Sequence, residues 1–375
     1  MRKHRVLLII VLVFVLGATG TALALRSRWN KPLGPSLGLP TVTEPAGSIV
    51  SVADINPTEP GSDIIQGITT TQSSGLIAVS TPAPNPTATS HPLCGGPAAI
   101  TILLIGSDER STGYLYGLAD SIHIVRVDFT KPDMMVIDFP RDLWVEIPDI
   151  SDHHGITHGK INQAYLYGNP GMGYYDGPGE GPGLLARTLD LNFGLRVDHY
   201  LALDTQTFVK MVDTVGGVDI KVDTPIDLSY GIKNPGPEYF LSVGTRHLDG
   251  KMALLLATNR IPSTFQRMKY QKLILSALRE ELLTRDMIPK LPKVVAQFID
   301  AVQTDLSPRD INNLLCIAQA ISNDNIRADS FPQSMFKAGN IYDPYRNVTT
   351  FIYEADFNEI RAMMADFMKG IWPFP

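Results

Sequence analysis

The stretch 101–147 constrains the fold most, because it holds three apolar runs rich in β-type residues. The runs are 102–105, 122–127 and 135–139. In the second run, apolar residues alternate with His123 and Arg126, which is typical of a strand with two different faces. We expect three neighbouring strands of one sheet, with the first two antiparallel.

Charged residues flank these predicted strands. Asp108 and Arg110 follow the first run, Asp120 opens the second, and Arg141 and Asp142 follow the third. In such a sheet these side chains would gather at one edge, where carboxylates and guanidiniums suggest a site for a metal and a phosphate. Each residue also has a plainer interpretation, since aspartate favours turns and an isolated arginine is usually a solvated surface group.

The chain after this stretch alternates strands with helices. Residues 199–203 predict a strand, 205–215 a helix, and 218–222 a strand entered through two glycines. This alternation predicts an α/β fold of the α/β/α type, in which helices cover a central mixed β-sheet. We also predict strands at 143–147 and 326–331, a glycine-rich loop at 168–183, and helices at 183–193, 249–258, 265–283, 290–302, 308–321 and 354–368.

The N-terminal segment predicts a membrane anchor. Basic residues precede an uncharged apolar run at 6–25, about 20 residues and long enough to cross a bilayer. A cleaved signal peptide is the alternative, but its apolar region is usually about 7–15 residues. We expect residues 1–28 to form a cytoplasmic tip and a single membrane-spanning helix. The protein would then lie in the cell membrane, with its N-terminus cytoplasmic and its domain extracytoplasmic.

Residues 29–96 predict an extracytoplasmic linker, because they are rich in Pro, Ser and Thr and poor in aromatics. Such a composition buries too little apolar surface to fold, so we expect disorder. One domain with a helical C-terminal part would then occupy 97–375. The formal charge of −6 argues against a nucleic-acid partner, which normally requires a basic face.

The two cysteines, Cys94 and Cys316, permit one disulfide. Outside the cytoplasm such a pair tends to be oxidised, so we favour the bridge over two separate thiols. His153, His154 and His158 form a further cluster. No cysteine or acid there has standard zinc spacing, so we expect a polar loop rather than a metal site.

Several motifs in a fixed order resemble the LytR–CpsA–Psr family, from about residue 100 to the end of the chain. They are IGSDER (105–110), AD (119–120), FPRDLWVEIP (139–148), GKINQAY (159–165), VDTVGGVDIKV (212–222), HLDGKMAL (247–254) and FQRMKYQ (265–271). The resemblance implies a membrane-anchored phosphotransferase. It would move a glycopolymer from a polyprenyl-pyrophosphate carrier to a hydroxyl of a cell-wall or envelope acceptor.

The resemblance also implies roles for individual residues. Asp108 and Asp120 would hold Mg²⁺ (or Mn²⁺), which prefers oxygen ligands and binds together with substrate phosphates. Arg141 would be central to catalysis, and both Asp108 and Asp142 are candidates to accept the proton of the acceptor hydroxyl. Asp142 has the alternative role of orienting Arg141. The residues expected to bind pyrophosphate are Arg110, Arg141, Lys160, Asn162, Arg260, Arg267 and Gln271.

This chain departs from the family pattern at four positions that are usually charged. Leu118, Thr258 and Tyr270 stand where the pattern has arginine, and Thr264 stands where it has an acid. The missing charges would weaken pyrophosphate binding, since each charge-assisted contact is worth about 1.5–3 kcal/mol. The alternative function is therefore a non-catalytic protein that binds polyprenyl phosphate or regulates envelope assembly, as transcriptional-attenuator descriptions of the family hold. An extracellular adhesion module, which would need no metal and no buried charges, is the third possibility.

Overall fold

The computed structural model describes residues 29–39, 91–109, 115–150 and 155–372. The predicted anchor at 1–28 and most of the predicted linker lie outside these residues. Among the residues described, no helix is both long and apolar enough to cross a membrane.

Strands and helices alternate through the domain as the sequence predicted. The strands of the described chain are β1 (Ala99–Ser107), β2 (Ala119–Asp128), β3 (Asp133–Asp138), β4 (Trp144–Glu146), β5 (His158–Lys160), β6 (His199–Leu203), β7 (Val218–Val222), β8 (Ile226–Asp227), β9 (Phe240–Leu241), β10 (Gly244–Leu248), β11 (Gln303–Thr304), β12 (Ile326–Ser330), β13 (Lys337–Asp343) and β14 (Val348–Glu354). The helices are α1 (Ile161–Gly168), α2 (Glu180–Phe193), α3 (Thr205–Val215), α4 (Gly250–Thr258), α5 (Thr264–Leu282), α6 (Leu291–Phe298), α7 (Pro308–Ala320) and α8 (Phe357–Met368).

A six-stranded mixed sheet forms the centre, in the order β11-β6-β1-β2-β3-β12. β1 pairs antiparallel with β2, and β2 with β3, as the apolar runs predicted. β1 pairs parallel with β6, and β3 with β12. Parallel neighbours need long crossover connections, which the intervening helices supply. The predicted mixed α/β sheet is confirmed.

Helices cover both faces of this sheet. Leu103 and Ile105 of β1 share one apolar cluster with Leu185 of α2 and Phe367 of α8. Ile102, on the opposite face, belongs to a second cluster that includes α7. Because successive residues of a strand point to opposite faces, a strand covered on both sides reads as a continuous apolar run.

A smaller core lies between α3, α4, α5 and the β7–β10 ribbon. Val212, Ile220, Leu256 and Ile274 are buried in it. α5 begins where Ser263 Oγ accepts a hydrogen bond from the Gln266 backbone N–H at 3.2 Å. The Ser263 cap and the packing of Phe265 and Met268 in the main core therefore fix the first turn of α5, which carries a residue of the candidate site.

Residues 29–39 differ from the linker expectation, because they lie against the domain. Leu37 is buried in the main core, and Leu33 N donates to Leu306 O at 3.3 Å. Tyr200 Oη donates to Pro35 O at 3.1 Å. The average composition of 29–96 concealed the few apolar residues that hold this segment.

The C-terminal region contains a hairpin, β13–β14, that no sequence pattern predicted. Its second strand occupies 348–354, so the closing helix α8 starts later than the predicted position 354. α6 ends at Phe298, before the predicted position 302. A disulfide joins Cys94, just before β1, to Cys316 in α7, with the Cα atoms 5.8 Å apart.

Candidate active site

The two predicted metal aspartates follow neighbouring strand positions. Asp108 comes directly after Ser107, and Asp120 directly after Ala119, the register partner of Ser107. The backbone of Leu118 holds both aspartates. Its N–H donates to Asp108 Oδ1 at 2.7 Å, and its carbonyl accepts from Asp108 N at 3.1 Å and Asp120 N at 2.9 Å. The antiparallel pairing thus brings the aspartates to one sheet edge.

Three guanidiniums surround the Asp120 carboxylate. Arg141 Nη1 donates to Oδ1. Arg260 Nη2 lies 3.4 Å from Oδ2, and Arg267 Nη1 lies 3.8 Å from it. These arginines come from the loop after β3, the α4–α5 loop and the first turn of α5. Because three positive groups face one carboxylate, the cluster favours a further anion.

Arg267 is the most buried of these arginines, with 2% of its surface exposed. Burial, together with the charges of Arg141 and Arg260, lowers the pKa of its guanidinium to about 10, against an opposing contribution from Asp120. The group stays charged at neutral pH. Its buried Nε has no hydrogen-bond partner among the described residues. A buried donor without a protein partner is costly, and such unpaired groups are concentrated at functional sites.

Asp142 is the second centre of the cluster. Its carboxylate lies 3.4 Å from Arg141 Nε and 3.0 Å from Lys160 Nζ, and it accepts a hydrogen bond from Thr264 Oγ1 at 3.3 Å. Burial alone would raise the pKa of Asp142, but Arg141 and Lys160 lower it below its ordinary value. A carboxylate held in this way is a weak base, and its geometry orients Arg141.

Lys160 and Asn162 lie where β5 passes into α1. Gln163 Oε1 accepts a hydrogen bond from Lys160 N at 2.7 Å, which fixes the start of the helix. The Asn162 backbone N–H donates to Arg141 O at 3.3 Å, so α1 is tied to the arginine loop. Asn162 is 3% exposed, and its Oδ1 has no hydrogen-bond partner among the described residues.

Gln271 belongs to a polar group with Ser121 and His123, of which only Gln271 is a predicted site residue. Its Oε1 accepts a hydrogen bond from Ser121 Oγ at 3.3 Å, and Ser121 Oγ lies 2.7 Å from His123 Nε2. Burial, with a contribution from the Lys272 charge, lowers the pKa of His123 to about 4. The imidazole is therefore neutral at physiological pH. The alternating pattern of the strand predicts His123 only as a polar residue.

Two cavities adjoin the charged cluster. The first is mostly apolar, has a volume of about 120 Å³, and lies between the sheet edge and helices α3, α4 and α5. Its lining includes Asp108, Asp120, Phe208, Leu254 and Ile274. The second has a volume of about 270 Å³, and its lining includes Arg141, Asp142, Lys160 and Asn162. The ion pair between Arg141 and Asp120 therefore links the walls of both cavities.

Some predicted residues lie outside the described part of the chain. Arg110 is among them, as are His153 and His154. The third residue of the histidine cluster, His158, is exposed, and its Nδ1 lies 3.0 Å from Thr157 Oγ1. Among the described residues, no group of three or more histidine, cysteine or acidic side chains has the arrangement of a metal site.

The four departures from the family pattern have different structural roles. Thr264 keeps a hydrogen bond to Asp142, and the Leu118 backbone holds the aspartates. Thr258 donates its hydroxyl hydrogen to Leu254 O at 2.8 Å, so it adds no charge to the cluster. Tyr270 packs against the smaller core.

The donor set at the sheet edge suits a hard divalent cation. Asp108 and Asp120 line the same cavity and offer carboxylate oxygens, the ligands that Mg²⁺ prefers. Two carboxylates are enough where substrate phosphates and water complete the coordination.

The sequence profile of the LytR_cpsA_psr family matches residues 78–363, well over half of the chain. Regulatory protein MsrR of Staphylococcus aureus (strain COL) is 30% identical over 211 residues, which are 55% of this chain and 56% of MsrR. TagU of Oceanobacillus iheyensis, named a polyisoprenyl-teichoic acid–peptidoglycan teichoic acid transferase, is 30% identical over 220 residues, which are 58% of this chain and 62% of TagU. The matches thus span less than two thirds of these relatives.

Solved structures share the fold. The crystal structure of B. subtilis TagV has a TM-score of 0.55 at 23% identity, covering 72% of this chain and 97% of that one. TagT bound to LIIa-WTA has a TM-score of 0.53 at 17% identity, covering 72% of this chain and 90% of that one. With the profile match over 78–363, these findings establish that the chain belongs to the LytR–CpsA–Psr family.

Proposed function

We propose that this protein is a phosphotransferase of the cell envelope, which transfers a glycan-1-phosphate unit from polyprenyl pyrophosphate to an acceptor hydroxyl. The observation that carries the proposal is the Asp120 carboxylate with its three guanidiniums. Such a surplus of positive charge next to an apolar cavity suits a lipid pyrophosphate. The names of TagU and TagV, which describe transfer of teichoic acid from a polyisoprenyl carrier to peptidoglycan, support it.

The arginines bind the pyrophosphate in this proposal. Arg141, Arg260 and Arg267 carry planar guanidiniums, which can donate two hydrogen bonds to phosphate oxygens. Arg110, Lys160, Asn162 and Gln271 complete the predicted binding set. The polyprenyl chain enters the apolar cavity between the sheet edge and α5, since that cavity buries hydrocarbon next to the phosphates.

Transfer forms one phosphorus–oxygen bond and breaks another. The acceptor oxygen attacks the phosphorus that bears the glycan, and polyprenyl monophosphate leaves with the electrons of the broken bond. The hydroxyl proton passes to Asp108, because Asp142 is held by Arg141 and Lys160 and has a lowered pKa. Asp142 acts by orienting Arg141. The fixed guanidiniums stabilise the charge that develops on the pyrophosphate oxygens.

Asp108 and Asp120 would hold a divalent cation, Mg²⁺ or Mn²⁺. When bound, that ion neutralises negative charge on the phosphate oxygens. The predicted N-terminal helix would anchor the domain at the extracytoplasmic side of the membrane, where a lipid-linked donor is accessible.

A second function follows from the departures in the site. Leu118, Thr258 and Tyr270 supply no positive charge where the family pattern has arginine, and MsrR is named a regulatory protein. A site with fewer arginines would bind polyprenyl phosphate without transfer. Such a protein would regulate envelope assembly instead.

One experiment separates the two functions. The full chain is incubated with a glycan-bearing polyprenyl pyrophosphate and a peptidoglycan oligosaccharide, and released polyprenyl phosphate is measured with Mg²⁺ and with EDTA. We expect release that requires the metal and is lost in Asp120→Asn. Asp133→Asn is the control, because Asp133 pairs with Arg327 at the start of β3, away from the cluster. Bound lipid without release would favour the regulatory function.

A further inference from the structure

The second cavity has an aromatic wall that the charged cluster does not explain. Tyr167 of α1 and Tyr345 of the β13–β14 turn both line it. Their ring centroids lie 6.5 Å apart, and each ring also contacts Tyr174, at 5.8 Å from Tyr167 and 6.0 Å from Tyr345. The hydroxyls of Tyr174 and Tyr345 share a hydrogen bond. The rings therefore support each other in a fixed aromatic group.

Polar side chains line the cavity next to this aromatic wall. Arg346, which follows Tyr345 in the turn, lines the same cavity. Asp343 Oδ1 accepts hydrogen bonds from Tyr345 N at 3.0 Å and Arg346 N at 3.1 Å, so the turn is held in place. Asn162 also lines the cavity, and its buried Oδ1 has no hydrogen-bond partner among the described residues. A buried acceptor without a protein partner, on a residue that lines a cavity, is a group to which a ligand hydroxyl can donate.

The remaining lining and the size of the cavity limit what fits. Leu118, Leu166 and Met172 add apolar surface, while Arg141 and Lys160 belong to the charged cluster. A volume of about 270 Å³ equals that of about nine water molecules, which is room for one ring-sized group. A pyranose ring has an apolar face of C–H groups and a rim of hydroxyls. Its C–H face suits the electron-rich face of tyrosine, and its hydroxyls suit an unpaired amide oxygen.

We propose that this cavity is a subsite for a pyranose ring with an acidic substituent, contacted by Tyr345 and Tyr167, hydrogen-bonded by Asn162 and paired with Arg346. The inference rests on the proposed function, which places a pyrophosphate at the Arg141 end of the cavity. The sugar belongs either to the donor glycan next to its phosphate or to the acceptor strand. The β13–β14 turn is then a specificity element for the sugar.

Binding of three probes to the full chain tests the subsite. The probes are a polyprenyl pyrophosphate bearing an acidic disaccharide, the same lipid bearing a neutral disaccharide, and the lipid pyrophosphate without sugar. We expect Tyr345→Ala to weaken both glycosylated probes about fivefold or more, with no change for the sugar-free lipid. Arg346→Gln should weaken binding of the acidic probe alone, by about threefold. This loss should be smaller at high salt, which screens the charge interaction.

Two variants control for damage to the hairpin. Tyr345→Phe keeps the ring and should bind like the wild type. Val348→Ala shortens an apolar side chain of β14 that is 41% exposed and does not line the cavity, so it should also have no effect. Unchanged binding of the sugar-free lipid shows that each variant is folded around the charged cluster.

A kinetic arm identifies the source of the sugar. If donor binding is unchanged in Tyr345→Ala but the KM for a peptidoglycan oligosaccharide rises, the subsite holds the acceptor. If Tyr345→Ala has wild-type affinity for the glycosylated probes and a wild-type KM for the oligosaccharide, the subsite is overturned, even if transfer proceeds. If the wild type shows no transfer, the proposed function fails separately, and direct calorimetry with the acidic disaccharide alone still tests the subsite. In that case, equal affinity of the wild type and Tyr345→Ala would contradict it.

Discussion

Thr264 donates its hydroxyl hydrogen to Asp142 Oδ2 at 3.3 Å, at a position where the family pattern predicted an acid. A second carboxylate here would compete with Asp142 for Arg141 and Lys160. The neutral hydroxyl instead adds a third stabilising contact to the Asp142 carboxylate. This departure therefore preserves the orientation of Arg141, and the loss of the acid does not imply an inactive site.

We expect Thr264→Val to lower the free energy of unfolding by about 1–2 kcal/mol, because a charged acceptor loses a buried hydrogen bond. Thr258→Val is the matched control, since its hydroxyl is exposed and bonds only to helix carbonyls. We expect that control to stay within about 0.5 kcal/mol of the wild type in urea unfolding. Equal effects of the two substitutions would show that the Asp142 contact contributes nothing.

Arg141→Lys should reduce kcat/KM of transfer by about 100-fold or more. Arg141 uses Nη1 for Asp120 and Nε for Asp142, and a lysine has only one nitrogen for both. The comparison is Arg196→Lys, which alters an exposed arginine paired with Asp190 and should leave the rate unchanged. A wild-type rate in Arg141→Lys would remove Arg141 from the catalytic set.

The pH dependence of stability should include a contribution from Asp138. Burial raises the pKa of this carboxyl from 3.8 to about 6, although Lys272 and a hydrogen bond from Ser330 oppose the shift. The folded state thus binds the proton more tightly than the unfolded state, so stability decreases as pH rises from about 4 to about 6. We expect Asp138→Asn to be more stable than the wild type at pH 7.5, by about 2 kcal/mol.

Urea unfolding at pH 4.5 and pH 7.5 measures this effect. The free energy of unfolding of Asp138→Asn should differ much less between the two pH values than that of the wild type, because asparagine cannot ionise. Ser330 Oγ, 3.1 Å from Asp138 Oδ2 in the wild type, can still donate to an amide oxygen. A variant less stable than the wild type at pH 7.5 would show that the charged form of Asp138 is favoured.

The strands that carry the aspartates could be predicted, because their signal is local. A strand that is covered on both faces shows a continuous apolar run, and a strand that is covered on one face shows alternation. The sequences of β1, β2 and β3 show these patterns. Once their order is known, the placement of Asp108 and Asp120 follows from the register of Ser107 and Ala119.

The residues missed by sequence reasoning depend on long-range packing. The β13–β14 hairpin is mostly exposed, so its strands lack the apolar alternation that identifies a half-buried strand. Its Tyr345 meets Tyr174 across 171 positions of sequence. The neutral state of His123 likewise depends on burial by elements that are distant in sequence. No local pattern reports such contacts.

The disulfide should make a large contribution to stability. Cys94 and Cys316 are separated by 222 positions, and a bridge across so long a loop restricts the unfolded chain. We expect Cys316→Ser to lower the free energy of unfolding by about 2–5 kcal/mol. Reduction of the wild type should reproduce that loss, whereas the variant should not respond to the reductant. A wild type insensitive to reduction would contradict the assignment.

The central claim is that a phosphate moves with the glycan. The most direct measurement is ³¹P NMR with mass spectrometry of both products after the full chain has reacted with a glycan-bearing polyprenyl pyrophosphate and a peptidoglycan oligosaccharide. Phosphotransfer predicts equal amounts of polyprenyl monophosphate and of a phosphodiester that joins the glycan to the oligosaccharide. Recovery of polyprenyl pyrophosphate with a glycan attached directly to the acceptor, or of the donor intact, would contradict the account.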